Sequence, residues 1–318
     1  MPPPRGSQNF LEGPGDYDVT SIVHNDTYPA IDPTKADLSG KSVFVTGASK
    51  GLGRAMVLSF AKAGASFIAA GARSDMSQLA KDVEIAASSA NRPMPTFLPV
   101  KLDVTDRKSV ENAAAQVDNA FEKLDIVINN AGVLGNLGMI TDSNPDEWWE
   151  VLDVNIRGPY LVSRSFLPLL LKGNDKYLIN VASVGALVVN PGLSSYPVSK
   201  AGLLKFTQLT DVEYSNQGVI SFAIHPGNCP TDIMGGPEGV PDNMKHSRLI
   251  HLREKYILTP AVFVDTPDVS ADTLVFLTSQ KRAWLGGRYI NCTWDMPELM
   301  AKEEEIIKED KLKVKFAF

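Results

Sequence analysis

Short β-branched apolar runs alternate with segments of helical pattern through most of the chain, and this alternation restricts the fold more than any other feature. Lys41–Thr46 reads as a strand, followed by a glycine turn and a helical pattern over Gly53–Gly64. The same unit then recurs. Further strands are expected over Ser66–Gly71, Thr96–Leu102, Asp125–Asn129, Lys176–Val181, Val219–Ile224 and Arg288–Cys292. Helices are expected over Ser77–Ser88, Asp106–Lys123, Asp146–Leu171, Tyr196–Gln217 and Asp268–Leu277. Strands joined through helices pair in parallel, so the class is α/β: a doubly wound parallel sheet with helices on both faces, in a single domain over residues 39–295. Residues 1–38, rich in Pro, Gly, Asp, Asn and Thr without sustained periodicity, are expected to form an arm outside the core. Residues 296–318 are expected to be a helical tail, in which Lys302–Lys315, with Glu304 and Lys308 paired at i,i+4, reads as a solvated helix. Between Pro226 and Asp268 the alternation breaks down, and about 228–266 reads as a lid or binding loop, or else an ordinary surface loop.

Charge and composition narrow the partners. A net charge of −6 and a sequence pI near 5.3 disfavour nucleic acid and anionic membranes. The apolar run around Leu167–Leu171 is far shorter than the roughly 18 residues of a membrane span. The two cysteines, Cys229 and Cys292, form no CxxC pair, and His24, His225, His246 and His251 form no HExxH arrangement, so catalysis without a metal is expected. Neither terminus carries a recognisable address, which makes the cytoplasm the expected compartment.

Chemistry first appears in the turn after the first strand. In Thr46-Gly47-Ala48-Ser49-Lys50-Gly51-Leu52-Gly53 the glycines allow a tight turn and let backbone approach a phosphate without a Cβ clash, at a helix N-terminus where free N–H groups favour anions. Taken alone, the loop also reads as a simple strand–helix turn. Arg54 stands after the last glycine where a P-loop has its Lys, so nucleotide hydrolysis is disfavoured.

Tyr196 and Lys200 lie four residues apart on one helix face, and Ser183 ends a strand thirteen residues before Tyr196. A carbonyl oxygen that gains negative charge needs a proton. A phenol can donate one, a nearby ammonium can draw its pKa down from about 10, and a serine hydroxyl can hold the oxygen in place.

With the GxxxGxG spacing, Asn129-Asn130-Ala131-Gly132 after strand four, Pro226-Gly227 after strand six, and Asn155, Ser183, Tyr196 and Lys200 in order, the chain resembles the short-chain dehydrogenase/reductase family over roughly Leu38–Trp294. The resemblance implies a catalytic tetrad of Asn155, Ser183, Tyr196 and Lys200, with Asn155 supporting a water-linked proton relay. It implies cofactor contacts at Gly47, Ser49, Lys50, Gly51, Leu52 and Gly53, and at Asp103 and Val104 by the adenine. Further contacts are implied at Asn130, Ala131, Gly132, Tyr196, Lys200, Pro226, Gly227, Cys229 and Thr231. Many members carry valine where this chain has Cys229. Val133, Leu134, Gly135, Val184, Gly185, Leu193, Asn228 and residues 233–258 are expected around the substrate entrance.

In this family an acid at the end of strand two commonly favours NAD. Here that place is Ala72, and Arg73 with Lys50 could meet a 2′-phosphate, so NADP(H) is the expected cofactor. The expected function is an NADP(H)-dependent oxidoreductase reducing a ketone or aldehyde to an alcohol, or the reverse, on a small molecule. The alternatives are a non-redox isomerase or cyclase, or a cofactor-binding regulatory protein, on the same fold. Members of the family imply a homodimer or homotetramer through the long helices. Trp148 and Trp149, adjacent and so unable both to face the core, suggest a place for that contact. The arm, lid and tail resemble those of fungal members, many of which act in secondary metabolism.

Overall fold

Ser42–Thr46 forms β1, and all five of its residues are buried, as a strand covered on both faces requires. The computed structural model describes residues 18–136, 138–230, 233 and 263–315. From β1 the chain continues through α1 (Gly51–Lys62), β2 (Phe67–Ala72), α2 (Ser77–Ser89), β3 (Thr96–Lys101), α3 (Arg107–Phe121) and β4 (Ile126–Asn129). It goes on through α4 (Pro145–Leu152), α5 (Gly158–Lys172), β5 (Tyr177–Val181), α6 (Ser195–Tyr214) and β6 (Ile220–His225). The last elements are α7 (Pro267–Thr278), β7 (Tyr289–Asn291), α8 (Met296–Ala301) and α9 (Glu303–Lys308).

The strands form one seven-stranded sheet in the order β3-β2-β1-β4-β5-β6-β7, with every pairing parallel. Val45 lies opposite Ala70 of β2 on one side and Ile128 of β4 on the other. One face is covered by α1, α2 and α7, with Phe60, Val83 and Leu274 in its core. The other face is covered by α3 and α5, with Val117, Phe166 and Leu170 in its core, and Phe44 stacks on Phe166 at 4.1 Å. Fully burying side chains of this size is worth roughly 1.5–3 kcal/mol each. Because the chain winds outward from β1 towards β3 and then from β4 towards β7, the crossovers diverge between β1 and β4. A crevice therefore opens at the carboxyl ends of these two strands, the place where doubly wound sheets bind their ligands.

Three expectations need correction. The long helix expected over Asp146–Leu171 is broken: α4 ends at Leu152, Asp153–Arg157 forms a π turn, and α5 begins at Gly158. The cause is Pro159, which has no N–H to give to the carbonyl four residues back, and Gly158 instead donates to Asp153 O. Residues 18–38 do not stand apart from the core. Ile31 and Leu38 are buried in it, and Leu38 N donates to Ala63 O at 3.0 Å. Their apolar residues are single plugs in a polar segment, each filling a separate gap, so they leave no periodic signal. Nor is the tail simply a solvated helix. Ile306 is buried, as are Met296 and Leu299 just before residues 302–315, and the ion pairs described include Lys302 with Glu298 (3.2 Å), Lys311 with Glu305 (2.5 Å) and Glu309 (2.7 Å), and Lys313 and Lys315 with Asp310 (2.8 Å each), rather than Glu304 with Lys308. Among the described residues no helix is long and apolar enough to cross a membrane.

Candidate active site

The turn after β1 is bolted to the turn after β4. Thr46 Oγ1 accepts the N–H groups of both Asn130 and Ala131 at 3.0 Å, and Asn130 Nδ2 donates to Thr46 O at 2.8 Å. Gly47 and Gly51 take φ of 66° and 53°, values that side chains rarely adopt. At Gly53 the constraint is space: a Cβ would lie 2.3 Å from Gly47 O and 2.6 Å from Asn130 Nδ2. α1 therefore starts directly against the loop. Its N-cap, Lys50, makes no side-chain capping bond, and Gly51 and Leu52 of its first turn line the crevice, the setting in which helix N–H groups hold an anion.

The crevice is a cleft of about 610 Å³. Its walls include Gly47, Ser49, Lys50, Gly51 and Leu52 from the loop, Arg73 after β2, Asp103 and Val104 after β3, and Asn130, Ala131, Gly132, Val133, Leu134 and Gly135 after β4. Gly53 lies behind this wall. Sequence reasoning did not single out Ser74, Glu147, Glu150, Val151 or Val154, which also line the cleft. The last four come from α4 and the π turn, whose place over the crevice depends on the break at Pro159. Ala72 is buried at the cleft wall and Arg73 is exposed beside it. Partial burial pushes the Asp103 carboxyl up, but bonds from Thr105 Oγ1 (2.7 Å) and N (3.0 Å), with the charge of Arg73, outweigh it and hold it below the usual range.

The four residues expected to form the tetrad converge beside the cleft. Lys200, in the second turn of α6, is buried, and its Nζ donates to Val181 O at the end of β5 at 2.8 Å and stands 5.6 Å from the centre of the Tyr196 ring. A Cβ on Gly132 would be 3.5 Å from Lys200 Nζ and 3.3 Å from Asn155 Oδ1, so glycine leaves the room in which these groups meet. Ser183 Oγ is hydrogen-bonded to Tyr196 and accepts the Gly185 N–H at 3.0 Å. Gly185 lets the tyrosine ring close in, since a Cβ there would lie 3.2 Å from its Cε1.

Asn155 sits in the π turn. Its Oδ1 accepts from Val133 N at 2.9 Å, and its Nδ2 donates to Val133 O at 2.8 Å and Ser199 Oγ at 3.0 Å. The side chain thus ties the segment after β4 to α6. Its carbonyl is the one that Pro159 cannot reach with an N–H.

Burial lowers the Lys200 ammonium to about 8, because a desolvated cation loses its proton more easily. The Tyr196 phenol is raised by burial, against the pull of the Ser183 hydrogen bond. This differs from the expectation that Lys200 brings the phenol towards neutrality. In this geometry the ammonium is aimed at a backbone carbonyl, and desolvation of the phenol dominates.

After β6, Pro226 is buried and Gly227 takes φ of 92°. Cys229 is buried too, its Sγ 3.4 Å from Thr266 O. Thr231 and most of the expected lid, residues 231–232 and 234–262, lie outside the described residues. Leu193 and Asn228 are half-buried, and Val184 is buried. Burial pulls His225 down to about 3, leaving a neutral ring. Among the described residues no cluster of metal-ligating side chains occurs. Trp148 Nε1 donates to Ser194 Oγ at 2.9 Å while Trp149 is 62% exposed, so the two rings do divide between the protein and its surface.

A parallel sheet with its glycine turn and helix N-terminus at the switch point defines a Rossmann-type dinucleotide-binding fold. Comparison with known proteins carries this further. Residues 41–237 match the short chain dehydrogenase family. The short chain dehydrogenase pigC of Monascus ruber is 64% identical over 318 residues, all of both chains. The short chain dehydrogenase tazN of Aspergillus terreus is 60% identical over 96% of this chain, which spans 63% of that relative. Among solved structures, the NADPH-bound carbonyl reductase from chicken fatty liver superposes with a TM-score of 0.64 at 26% identity, covering 81% of this chain and 99% of its own. The chain belongs to the short chain dehydrogenase/reductase family, oxidoreductases that bind a nicotinamide cofactor and act on small molecules.

Gly53→Ala tests the loop geometry. The added Cβ must displace Gly47 O or Asn130, at about 1–3 kcal/mol, and nicotinamide dinucleotide binding measured by calorimetry is expected to weaken about tenfold or more. Unchanged affinity would contradict the close approach described.

Proposed function

We propose that the protein is an NADP(H)-dependent carbonyl reductase in which Tyr196 is the proton donor. The observation that carries this reading is the grouping of Ser183, Tyr196 and Lys200 at the end of β5, beside the cleft. Gly47, Ser49, Lys50, Gly51 and Leu52 would hold the pyrophosphate, Gly53 providing the space behind them, and Asp103 and Val104 the adenine side. Asn130, Ala131, Gly132, Pro226, Gly227, Cys229 and Thr231 would hold the remainder, with Lys200 on the ribose. The cofactor, when bound, supplies hydride to the carbonyl carbon.

The residues of the chain handle the oxygen and its proton. Ser183 Oγ holds the carbonyl oxygen beside the phenol, preorganised where negative charge develops. A phenol whose pKa is raised by burial is protonated at neutral pH and can donate to the carbonyl oxygen. The Lys200 ammonium, intact below about pH 8, stabilises the phenolate left behind and then restores its proton. The backbone carbonyl of Asn155, which Pro159 leaves without an N–H partner four residues on, would support a water-linked relay to Lys200.

Arg73 and Lys50, with Ala72 in place of an acid, support NADP(H) over NAD(H). A structure of a short chain dehydrogenase from Burkholderia cenocepacia in complex with NADP, 25% identical with a TM-score of 0.64, supports the same cofactor. Exposed Trp149, Tyr160, Leu209 and Val212 on α4, α5 and α6 support a homodimer or homotetramer through these helices. A role in fungal secondary metabolism, in the cytoplasm, is part of the same proposal; the relatives pigC and tazN are short chain dehydrogenases of fungi.

Tyr196→Phe removes the proton donor and little else. Reduction of any ketone or aldehyde that the wild type accepts, followed by NADPH absorbance, is expected to fall at least about a hundredfold with cofactor affinity kept. A variant retaining more than a tenth of the rate would exclude Tyr196 as donor.

Arg73→Ala removes a forked cation from the proposed 2′-phosphate site. Charge-assisted bonds of about 1.5–3 kcal/mol predict at least tenfold weaker NADPH binding with NADH nearly unchanged. Equal weakening of both cofactors would show that Arg73 does not read the phosphate.

A further inference from the structure

Residues 18–38 meet the turn after β6 through one carboxylate. Asp265 lies thirty-seven positions beyond Asn228 and is 5% exposed. Its Oδ2 accepts the Asn228 N–H at 2.5 Å, and its own N–H donates back to Asn228 O at 3.3 Å. Its Oδ1 accepts from Asn25 Nδ2 at 2.6 Å. The next residue repeats the attachment: Thr266 N donates to Asn25 O at 2.8 Å, and Thr266 Oγ1 donates to Asp26 Oδ1 at 2.6 Å.

The carboxylate also sets the neighbouring backbone. Gly227 takes φ of 92°, and a Cβ there would lie 2.9 Å from Asp265 Oδ2 and 3.1 Å from its Cγ. Asp265 therefore presses against the turn so closely that glycine is required at its apex. A buried carboxylate is costly unless its oxygens are bonded, and bonds to an ionised oxygen are short and directional. Here they run to a backbone N–H of the turn and to the N-terminal segment.

We propose that Asp265, completed by Asn25, is a positioning residue for the Pro226–Cys229 turn, through which residues 18–38 act on the nicotinamide end of the cofactor site. The inference rests on the reading of that turn as a cofactor contact. Neither side chain takes part in the chemistry. They fix the backbone that bears on the ring, and a displacement of about 1 Å in a reacting group can cost up to a hundredfold in rate.

The test uses the full chain and three variants. Asp265→Ala removes the acceptor, and Asn25→Asp sets two carboxylates face to face. Asn25→Asp combined with Asp265→Asn exchanges the two groups and restores a carboxylate opposite an amide. With 4-deuterated NADPH and a ketone the wild type accepts, each single change is expected to lower kcat about tenfold or more and to enlarge the deuterium isotope effect. NADPH affinity should stay within about threefold, since the adenosine half is held elsewhere, and the double variant should recover most of kcat. Hydrogen exchange at the Asn228 amide, read without substrate, should be faster in Asp265→Ala than in the wild type. If the wild type reduces ketones but the single variants match its kcat and isotope effect, losing only thermal stability, the positioning role is overturned while the reductase reading stands. If the wild type reduces none, the reductase reading fails, and unchanged exchange at Asn228 would then overturn the attachment itself.

Discussion

The hydroxyl of Thr46 is the hinge pin of the molecule. By accepting two backbone N–H groups from the segment after β4, it joins the carboxyl ends of β1 and β4 where the crossovers of the sheet diverge. Asn130 returns the bond to the carbonyl of Thr46. Both partners are polar groups at a rim where the core thins, and leaving either unpaired would cost about 1–3 kcal/mol. This link fixes the distance between the glycine loop and the Asn130–Gly132 turn, and so the width of the cleft. The absence of a Cβ at Gly47 and Gly53 follows from the same approach, since a methyl at either would meet the opposite segment.

From that rim the groups proposed to react are reached through Gly132. It lies between the dinucleotide cleft and the buried Lys200 ammonium, which is held by a β5 carbonyl and has its proton affinity reduced by burial. An ammonium with a pKa near 8 is poised to exchange protons at physiological pH, unlike a solvated lysine. Asn155 fastens the same region from below, and it can do so because Pro159 opens the helix at that point. The proposed chemistry would thus draw on a break in regular structure, a feature that functional sites often carry.

How much of this the sequence disclosed depended on the range of the interaction. Strands with every residue buried read plainly as β-branched runs, and the alternation led to the order of elements and the doubly wound class. The cleft's glycines, and the four residues beside it, were marked by spacing along the chain. The break at Gly158-Pro159 was written in the sequence but hidden, because the apolar pattern runs through it from Val151 to Leu170. Residues 18–38 were harder to read: Ile31 and Leu38 plug the core singly, and single plugs have no period. Asp265 was illegible altogether, for its partners Asn25 and Asn228 lie 240 and 37 positions away and nothing local marks a buried acceptor. The rise in the Tyr196 pKa was likewise a property of packing, not of the four-residue spacing to Lys200.

The central claim is that the groups around Gly132 direct hydride and proton to the two ends of one carbonyl. The most direct measurement supplies 4-deuterated NADPH with a panel of ketones and aldehydes and locates the label in the product by NMR. The account predicts an alcohol carrying one deuterium on the carbinol carbon, with one NADPH oxidised for each molecule formed. A product isomeric with its substrate, free of label and formed without loss of NADPH, would contradict it.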